Sequence, residues 1–201
     1  MGVCFLKGSL HPVLVMEKLD TSLDDILETK QHFPLPFVLS VLLDIASGLV
    51  YLHEFTPPIV HRDLTARNVL LTSATMRAKI ADLGNAMMID PSKLARVLSK
   101  APGTILYMPP EALQEVPKYD TQLDVFPFGH LALYVLTEEF PIVLPNTYND
   151  PITRELRART EVKRREEHID KLIEKLTDRH TITKMIIGCL HNLPEERYVT
   201  L

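Results

Sequence analysis

The sequence predicts a mostly α-helical fold with one β-hairpin at its start, and three patterns indicate this. Two short apolar runs lie at the start, a segment from residue 35 has apolar residues at three- and four-residue steps, and a second apolar segment covers residues 125–137. After residue 35 only short strand-like pieces occur, so strands come first and helices later. The 201 residues, 46% of them apolar, can form a sizeable core without disulfides.

The first runs are expected to form the hairpin, and the next segment the longest helix. Residues 3–6 and 12–19 are short apolar runs with Gly8 between them, a pattern typical of two strands joined by a turn. From residue 35 to residue 52 apolar side chains recur with helical spacing, and Pro34 stands at the entrance. This periodicity predicts a buried amphipathic helix.

The second half of the chain is predicted to be helical after a long loop. Apolar runs at residues 68–71 and 78–81 indicate short strands, and the prolines between residues 91 and 110 indicate the loop. Pro127 is expected in the first turn of its helix, where a missing N–H is tolerated. Three helices are predicted after the loop, at residues 125–137, 154–176 and 182–193.

The charge pattern argues against a nucleic-acid-binding protein. The chain has 22 Lys and Arg against 26 Asp and Glu, which gives a formal net charge of −4. A large basic surface would need the opposite balance. Residues 163–165 are basic, but Glu161, Glu166 and Glu167 interleave with them, which predicts a solvated helix face there.

Cysteine usage and hydropathy indicate a cytoplasmic protein without a membrane segment. Cys4 and Cys189 are far apart in sequence and form no disulfide framework, which fits a reducing compartment. The most apolar stretch, residues 35–51, is interrupted by Pro36 and Asp44, so it falls short of about 18 uninterrupted apolar residues. A membrane-spanning segment is therefore not expected.

Three motifs in a fixed order carry the chemistry. HRDLTARN occupies residues 61–68, ADLG follows at residues 81–84, and GTILYMPPE lies at residues 103–111. This set resembles the signature of protein kinases, in which the catalytic loop precedes a D-F-G element and a P-E anchor. The resemblance, to the tyrosine-kinase-like or tyrosine kinase group, implies an α+β parent. This chain would represent its helical C-terminal lobe with a remnant β-hairpin of the N-lobe.

The kinase resemblance assigns roles to the catalytic-loop residues. Asp63, in the same loop as His61, would accept the proton of a substrate hydroxyl, because a carboxylate beside the nucleophile orients it for in-line attack. Asn68 and Asp82 offer hard oxygen ligands suited to Mg²⁺. The implied reaction moves the γ-phosphoryl group of ATP to a protein hydroxyl, so ATP, Mg²⁺ and a protein substrate are the expected cofactors and partners.

The resemblance also assigns residues that hold the catalytic loop and the activation segment. Arg62 occupies the position that pairs with a phosphorylated activation segment. Glu111 and Arg197 fall where the family places a buried ion pair, and Asp124 falls where a carboxylate holds the catalytic-loop backbone. The pattern also makes Asp124 a helix N-cap. The candidate phosphorylation sites or contacts are three hydroxyl residues, Ser92, Ser99 and Thr104.

The segment LVMEKL resembles the hinge that receives adenine. Met16 would stand at the gatekeeper position, and the backbone of Glu17 and Leu19 would offer hydrogen bonds to the base. Leu70 and Ala81 would then line the adenine floor and the phosphate end of the cleft, although both positions would equally suit a plain core.

Indications of the acceptor hydroxyl are mixed. Ala66 and Arg67 before Asn68 are typical of tyrosine kinases, whereas GTILYMPPE, which contains Thr104, is typical of serine/threonine and tyrosine-kinase-like groups. Thr65 stands where most serine/threonine kinases have Lys. Thr65 and Arg67 are the candidate substrate-positioning residues, and the balance favours the tyrosine-kinase-like serine/threonine side.

The match is to part of a kinase domain. Residues 1–19 are interpreted as remnant N-lobe strands and hinge, and residues 20–201 as the C-lobe, with its final helix expected to be missing. The family's Gly-rich loop, strand lysine and helix glutamate have no counterpart, so the chain is interpreted as a fragment that is inactive alone. The alternative is a catalytically dead pseudokinase or a kinase-lobe interaction module. The absent lysine favours that alternative, whereas Asp63, Asn68 and Asp82 together favour an enzyme.

Overall fold

A computed structural model describes residues 2–5, 8, 11–89, 107–113, 120–139, 165, 167–176 and 180–198. Within these ranges most of the buried side chains lie on helices or on the segments between them, and the sheets are small. This is the mostly helical fold that the sequence predicts.

The described strands form three small antiparallel sheets. Strands β1 and β2 pair with each other, β3, β5 and β6 pair in that order, and β4 pairs with β7. Their bounds are β1 Gly2–Phe5, β2 Pro12–Val15, β3 Thr21–Ser22, β4 Ile59–Val60, β5 Val69–Leu71, β6 Ala78–Ile80 and β7 Met87–Met88.

The hairpin predicted at the start of the chain is confirmed, and it is unusually exposed. Val3 lies opposite Leu14, and Phe5 lies opposite Pro12. The apolar side chains of Val3, Phe5 and Leu14 are nevertheless 64%, 67% and 59% exposed. Pairing of β1 with β2 therefore satisfies backbone hydrogen bonds without burying these side chains.

Five described helical segments follow. The predicted helices near residues 35–52 and 125–137 are confirmed with slightly wider bounds, and helix is also present at the end of the predicted 154–176 segment, of which residues 154–164 lie outside the described residues. The bounds are α1 Leu23–Glu28, α2 Leu35–His53, α3 Gln122–Thr137, α4 167–174 and α5 His180–Cys189.

Helix α1 is too short to show a clear apolar period, and the sequence does not predict it. Its start is fixed by a capping box. The Ser22 hydroxyl accepts the N–H of Asp25 at 3.1 Å, and the Asp25 carboxylate accepts the N–H of Ser22 at 3.1 Å. These local bonds satisfy two of the N–H groups that a helix start leaves unpaired.

Helix α2 packs one face against α3 and β6. Val41, Ile45 and Leu49 on that face are fully buried, and each such side chain contributes about 1.5–3 kcal/mol of burial free energy. By length and composition alone α2 could also cross a membrane. Its single carboxylate, Asp44, accepts hydrogen bonds from Nε and Nη2 of Arg77, which ties the helix to the start of β6.

Helix α3 begins earlier than predicted, and two sequence-based expectations are therefore wrong. The first helical residue is Gln122 and the N-cap is Thr121, so Asp124 is the third residue of the helix and not its N-cap. Pro127 lies inside the helix and not in its first turn. It cannot donate the hydrogen bond that the Leu123 carbonyl would otherwise receive, a defect that burial among other core residues offsets.

Helix α5 ends at Cys189, four residues before the predicted end at residue 193. Leu193 is extended, as expected of a residue before proline, so the helix does not reach it. The Arg197 guanidinium donates to the carbonyl oxygens of His191 and Asn192. These two bonds tie the chain after α5 to Arg197.

Helices α3 and α5 approach closely through Gly129. A Cβ at this position would lie 2.8 Å from the Cβ of Cys189 and 2.9 Å from the Cγ of Leu190. Any larger residue would push the two segments apart, because both of these atoms lie near the backbone at the end of α5.

We expect the two cysteines to differ sharply toward an alkylating reagent. Cys4 is exposed, whereas Cys189 is buried against α3, and burial raises the pKa of its thiol to about 12. The reactive species is the thiolate, which a thiol of such high pKa rarely forms at about pH 8. Cys189 should therefore resist iodoacetamide until the protein unfolds. Mass spectrometry of a Cys4→Ser chain, treated with and without urea, measures this directly. Rapid labelling of the native Cys4→Ser chain would contradict the packing of α5.

Candidate active site

Asp124 of α3 holds the backbone of the predicted catalytic loop. Its carboxylate is fully buried. Oδ2 accepts the N–H of His61 at 2.8 Å, and Oδ1 accepts the N–H of Arg62 at 2.9 Å. The Nε2 atom of buried His53, at the end of α2, lies 2.9 Å from Oδ2. The contact predicted between Asp124 and the loop is therefore present, and it joins α2, α3 and the loop.

His61 connects the loop to the segment that precedes Asp82. Its Nδ1 accepts the N–H of Asp63 at 3.3 Å, and its Nε2 lies 3.0 Å from the carbonyl oxygen of Ala81. Because Nδ1 is used as an acceptor, the ring proton sits on Nε2 and is donated to Ala81. His61 is fully buried. Its role is therefore to hold Asp63 and Ala81, the two residues to which it is hydrogen-bonded, in position.

The residues from Asp63 to Asn68 form a short hydrogen-bonded turn. Asn68 Nδ2 donates to the carbonyl oxygen of Asp63 at 2.8 Å, and Thr65 Oγ1 accepts the N–H of Asn68 at 3.3 Å. The carbonyl oxygen of Asn68 accepts the N–H of Ala81 at 2.8 Å. These bonds bring three predicted site residues together, since Asp82 follows Ala81 directly.

Asp82 lies in a strained backbone conformation. Its φ is 63°, in the left-handed region, and its Oδ1 accepts the N–H of Gly84 at 3.0 Å. A Cβ at Gly84 would lie 2.9 Å from that oxygen, which explains why a glycine stands there. Left-handed backbone costs a non-glycine residue about 1–2 kcal/mol, and such strain concentrates at functional sites.

The donor atoms at this position fit Mg²⁺. Within the described residues, no group of three or more His, Cys, Asp and Glu side chains could form a metal centre by itself. Magnesium, however, uses one or two protein carboxylates together with substrate phosphates and water. The exposed Asp82 carboxylate and the Asn68 amide oxygen, on adjacent hydrogen-bonded segments, suit that requirement.

Asn85 is a site residue that the sequence did not reveal. Its side-chain Nδ2 donates to Oδ2 of Asp63 at 3.2 Å, and its carbonyl oxygen accepts a hydrogen bond from Arg62 Nε at 2.6 Å. Arg62 itself has a left-handed φ of 64°. No sequence pattern announces this contact, because it depends on how the turn after Asp82 faces the catalytic loop.

The predicted hinge runs beside the β5–β6 hairpin. Glu17 forms an ion pair with Lys79 of β6 at 2.6 Å, and the N–H of Asp20 donates to the carbonyl oxygen of Leu71 at 3.0 Å. Met16 is 60% exposed. The other predicted cleft residues are half-buried: Leu19, Leu70 and Ala81. The structure thus places the hinge next to the strands that would face adenine.

The two predicted substrate-positioning residues make contacts away from the Asp63 carboxylate. Thr65 is buried, and its hydroxyl caps the turn at Asn68. The side chain of Arg67 is exposed, and its Nε donates to Asp24 Oδ2 on α1 at 2.9 Å. In the described structure neither side chain is hydrogen-bonded to Asp63.

Glu111 and Arg197 form the buried ion pair predicted from the sequence. Arg197 Nη2 donates to Glu111 Oε2 at 2.9 Å, and Nη1 donates to Oε1. The Arg197 side chain is fully buried, and its Cζ lies 4.8 Å from the centre of the Phe126 ring. The pair therefore connects the segment at residues 107–113 to α3 and to the chain after α5.

Arg165 corrects the expectation of a solvated face at residues 163–165. It is only 3% exposed, and its Nη1 donates to the carbonyl oxygen of Met108 at 2.7 Å. Its Cζ lies 4.9 Å from the Phe126 ring centre. The interleaved glutamates around it predict a solvated face, because charge alternation does not reveal which single residue turns inward. Lys163 and Arg164 lie outside the described residues, as do three predicted activation-segment residues: Ser92, Ser99 and Thr104.

Comparison with known proteins gives a family match over nearly the whole chain. The family model of the protein kinase domain matches residues 4–200. This range includes all the hydrogen-bonded site residues from His61 to Asn85 and the Glu111–Arg197 pair.

Individual relatives are distant and much longer than this chain. A probable serine/threonine-protein kinase of Dictyostelium discoideum is 33% identical over 70% of this chain and 14% of its own length. The serine/threonine-protein kinase WNK3 of Mus musculus is 36% identical over 68% of this chain and 8% of its own length. The dual specificity protein kinase shkC of Dictyostelium discoideum is 35% identical over 70% of this chain and 28% of its own length.

Proposed function

The chain belongs to the protein kinase domain family, and from that premise we propose that its protein transfers the γ-phosphoryl group of ATP to serine or threonine hydroxyls. Names of relatives support the choice of acceptor, since two of those described above are serine/threonine kinases and the third is a dual specificity kinase. Because the chain spans less than a third of each of these relatives, the activity of the whole protein is part of the proposal.

The observation that carries the proposal is the hydrogen-bonded connection from Asp63 to Asp82. Asn68 Nδ2 bonds to the Asp63 carbonyl, and the Asn68 carbonyl bonds to Ala81, the residue before Asp82. A base and two oxygen ligands are thereby held on adjacent segments by bonds that do not use the Asp63 carboxylate. An interaction module without catalysis has no physical need for that combination.

Each residue then has a distinct role. Asp63 accepts the proton of the attacking hydroxyl and orients it toward the phosphorus. Asn68 and Asp82 would hold Mg²⁺, which would supply positive charge to offset the negative charge of the phosphates. The backbone of the segment at residues 16–19 offers hydrogen bonds to adenine, and the segment at residues 107–113, tied down by Glu111, positions the protein substrate.

The decisive variant is Asp63→Asn, which keeps the shape of the side chain and removes the base. We expect the rate of phosphoryl transfer to fall by about 10²–10⁴-fold. The measurement uses labelled ATP and a mixed protein substrate, with the chain as it stands and with the chain joined to a kinase upper lobe that supplies the phosphate loop and lysine. Analysis of the labelled amino acid separates serine and threonine from tyrosine.

Asp170→Asn is the matched control, since Asp170 is exposed on α4 and far in sequence from the loop. It should leave the rate within about twofold, as expected of surface substitutions away from special features. An Asp63→Asn protein as active as the control would show that Asp63 is not the base. Absence of transfer by the wild-type protein in both forms would contradict the proposed function itself.

A further inference from the structure

We propose that Asn85 is a positioning residue that orients the Asp63 carboxylate for phosphoryl transfer; this inference rests on the proposed function. The Asn85 side-chain amide donates to Asp63 Oδ2 at 3.2 Å. Both side chains are half-buried, so the contact is partly shielded from water. Such a bond fixes the rotation of the carboxylate about its Cβ–Cγ bond, which is otherwise a soft torsion.

Asn85 is itself held from two directions. It is the last residue of a single 3₁₀ turn, Leu83–Asn85, which is closed by a hydrogen bond from the N–H of Ala86 to the carbonyl oxygen of Leu83 at 3.0 Å. Its carbonyl oxygen accepts the bond from Arg62 Nε at 2.6 Å. An amide that reaches a carboxylate from such a fixed backbone loses little conformational entropy when it binds.

Arg62 links this contact to the helical core. Its N–H is bound by the buried Asp124 carboxylate, and its Nε is bound to Asn85. The orientation of Asp63 is therefore transmitted from α3 through Asp124, Arg62 and Asn85 in three successive hydrogen bonds. Each donor or acceptor in this series is supported by another contact, as a precisely placed catalytic group requires.

In the part of the chain that the structure describes, the Asp63 carboxylate is not hydrogen-bonded to the two candidate substrate-positioning residues, Thr65 and Arg67. Arg67 is bound to Asp24, and Thr65 caps the turn at Asn68. The neutral side-chain amide of Asn85, by contrast, donates a hydrogen bond to the Asp63 carboxylate. A neutral donor orients the carboxylate with a weaker bond than a cation would form. Orientation matters because the reacting atoms must lie about 3–3.5 Å apart, and a displacement of about 1 Å can cost about a hundredfold in rate.

The first test uses nuclear magnetic resonance on the isotope-labelled chain and needs no activity. Asp63→Asn should move the side-chain amide resonances of Asn85, because it removes the carboxylate that accepts their hydrogen bond. Asp170→Asn is the control and should leave them in place. Asn85 signals that respond equally little to both substitutions would overturn the contact.

The second test measures kinetics of the form that carries the upper lobe. Asn85→Ala should lower kcat on the order of tenfold to a hundredfold, with Asn85→Asp at least as damaging because it sets a second carboxylate against Asp63. The dissociation constant for Mg²⁺·ATP of Asn85→Ala should stay within about twofold of wild type, since the loss acts through Asp63. Gln31→Ala, which removes an exposed amide elsewhere, is the matched control.

A double-mutant cycle separates positioning from a general structural effect. In the Asp63→Asn background, Asn85→Ala should produce no further loss of rate, because the group that it orients is already gone. Equal losses in both backgrounds, or a wild-type kcat in Asn85→Ala, would overturn the inference while leaving the proposed function intact. A wild-type protein without transfer, but with Asn85 signals that respond to Asp63→Asn, would instead contradict the proposed function and with it the catalytic role of Asn85.

Discussion

Replacing Arg197 with Met is expected to lower the free energy of unfolding by about 3–5 kcal/mol, because it leaves the buried Glu111 carboxylate without its partner. Both side chains are almost completely buried, and they share two parallel hydrogen bonds. The substitution also removes the cation that lies over the Phe126 ring and the donors to the carbonyls after α5. Urea unfolding followed by circular dichroism measures the change.

The double mutant makes this expectation specific to the pair. Glu111→Gln alone should also be strongly destabilising, but Glu111→Gln with Arg197→Met should cost less than the sum, because the second change removes a charge that is already unpaired. The matched control is the exposed pair Lys175–Glu139, which is joined at 2.6 Å. Lys175→Met and Glu139→Gln should each change stability by less than about 1 kcal/mol. Additive losses at Glu111 and Arg197 would show that the two side chains do not meet.

Asp124→Asn is expected to destabilise the protein by about 2–3 kcal/mol and to loosen the catalytic loop. The carboxylate accepts one backbone N–H on each oxygen. An asparagine has one acceptor oxygen, so its amide nitrogen would face the N–H of either His61 or Arg62. Arg62 also has a left-handed φ, which persists only when its surroundings hold it there. The loss of one of these bonds should therefore leave an N–H group without its acceptor. It should also let the Arg62 backbone leave its left-handed conformation.

Amide hydrogen exchange provides the measurement. The N–H groups of His61 and Arg62 should exchange faster in Asp124→Asn than in wild type under conditions where the protein stays folded. Asp120→Asn is the matched control, since exposed Asp120 accepts the N–H of Gln122 at the start of the same helix. It should leave the loop amides unchanged. Undiminished protection of His61 and Arg62 in Asp124→Asn would show that the carboxylate does not hold the loop.

Local patterns in the sequence were sufficient to predict the main helices and to identify the residues of the three motifs. The period of the apolar residues predicted α2 and the core of α3, and the order of the three motifs identified the loop residues that the structure joins. Element ends were less accurate. Helix α5 stops four residues before its predicted end, and α3 starts early enough to put Pro127 in its interior. Neither effect can be read from the residues of the helix itself.

Short-range periodicity indicates which segments of this protein are helical, and motif order indicates which residues carry functional side chains. Both can be read from the sequence because each of these properties is local. The family resemblance predicted that Asp124 contacts the loop and that Glu111 pairs with Arg197, but only the tertiary structure decided which residues outside that resemblance meet.

Asn85 reaches Asp63 across 22 residues, and Arg165 reaches Met108 across 57 residues. Arg165 turns inward although its neighbours in sequence suggest a solvated face. The physical reason is that the value of a buried hydrogen bond or ion pair depends on the partner and on the exclusion of water, and the fold supplies both.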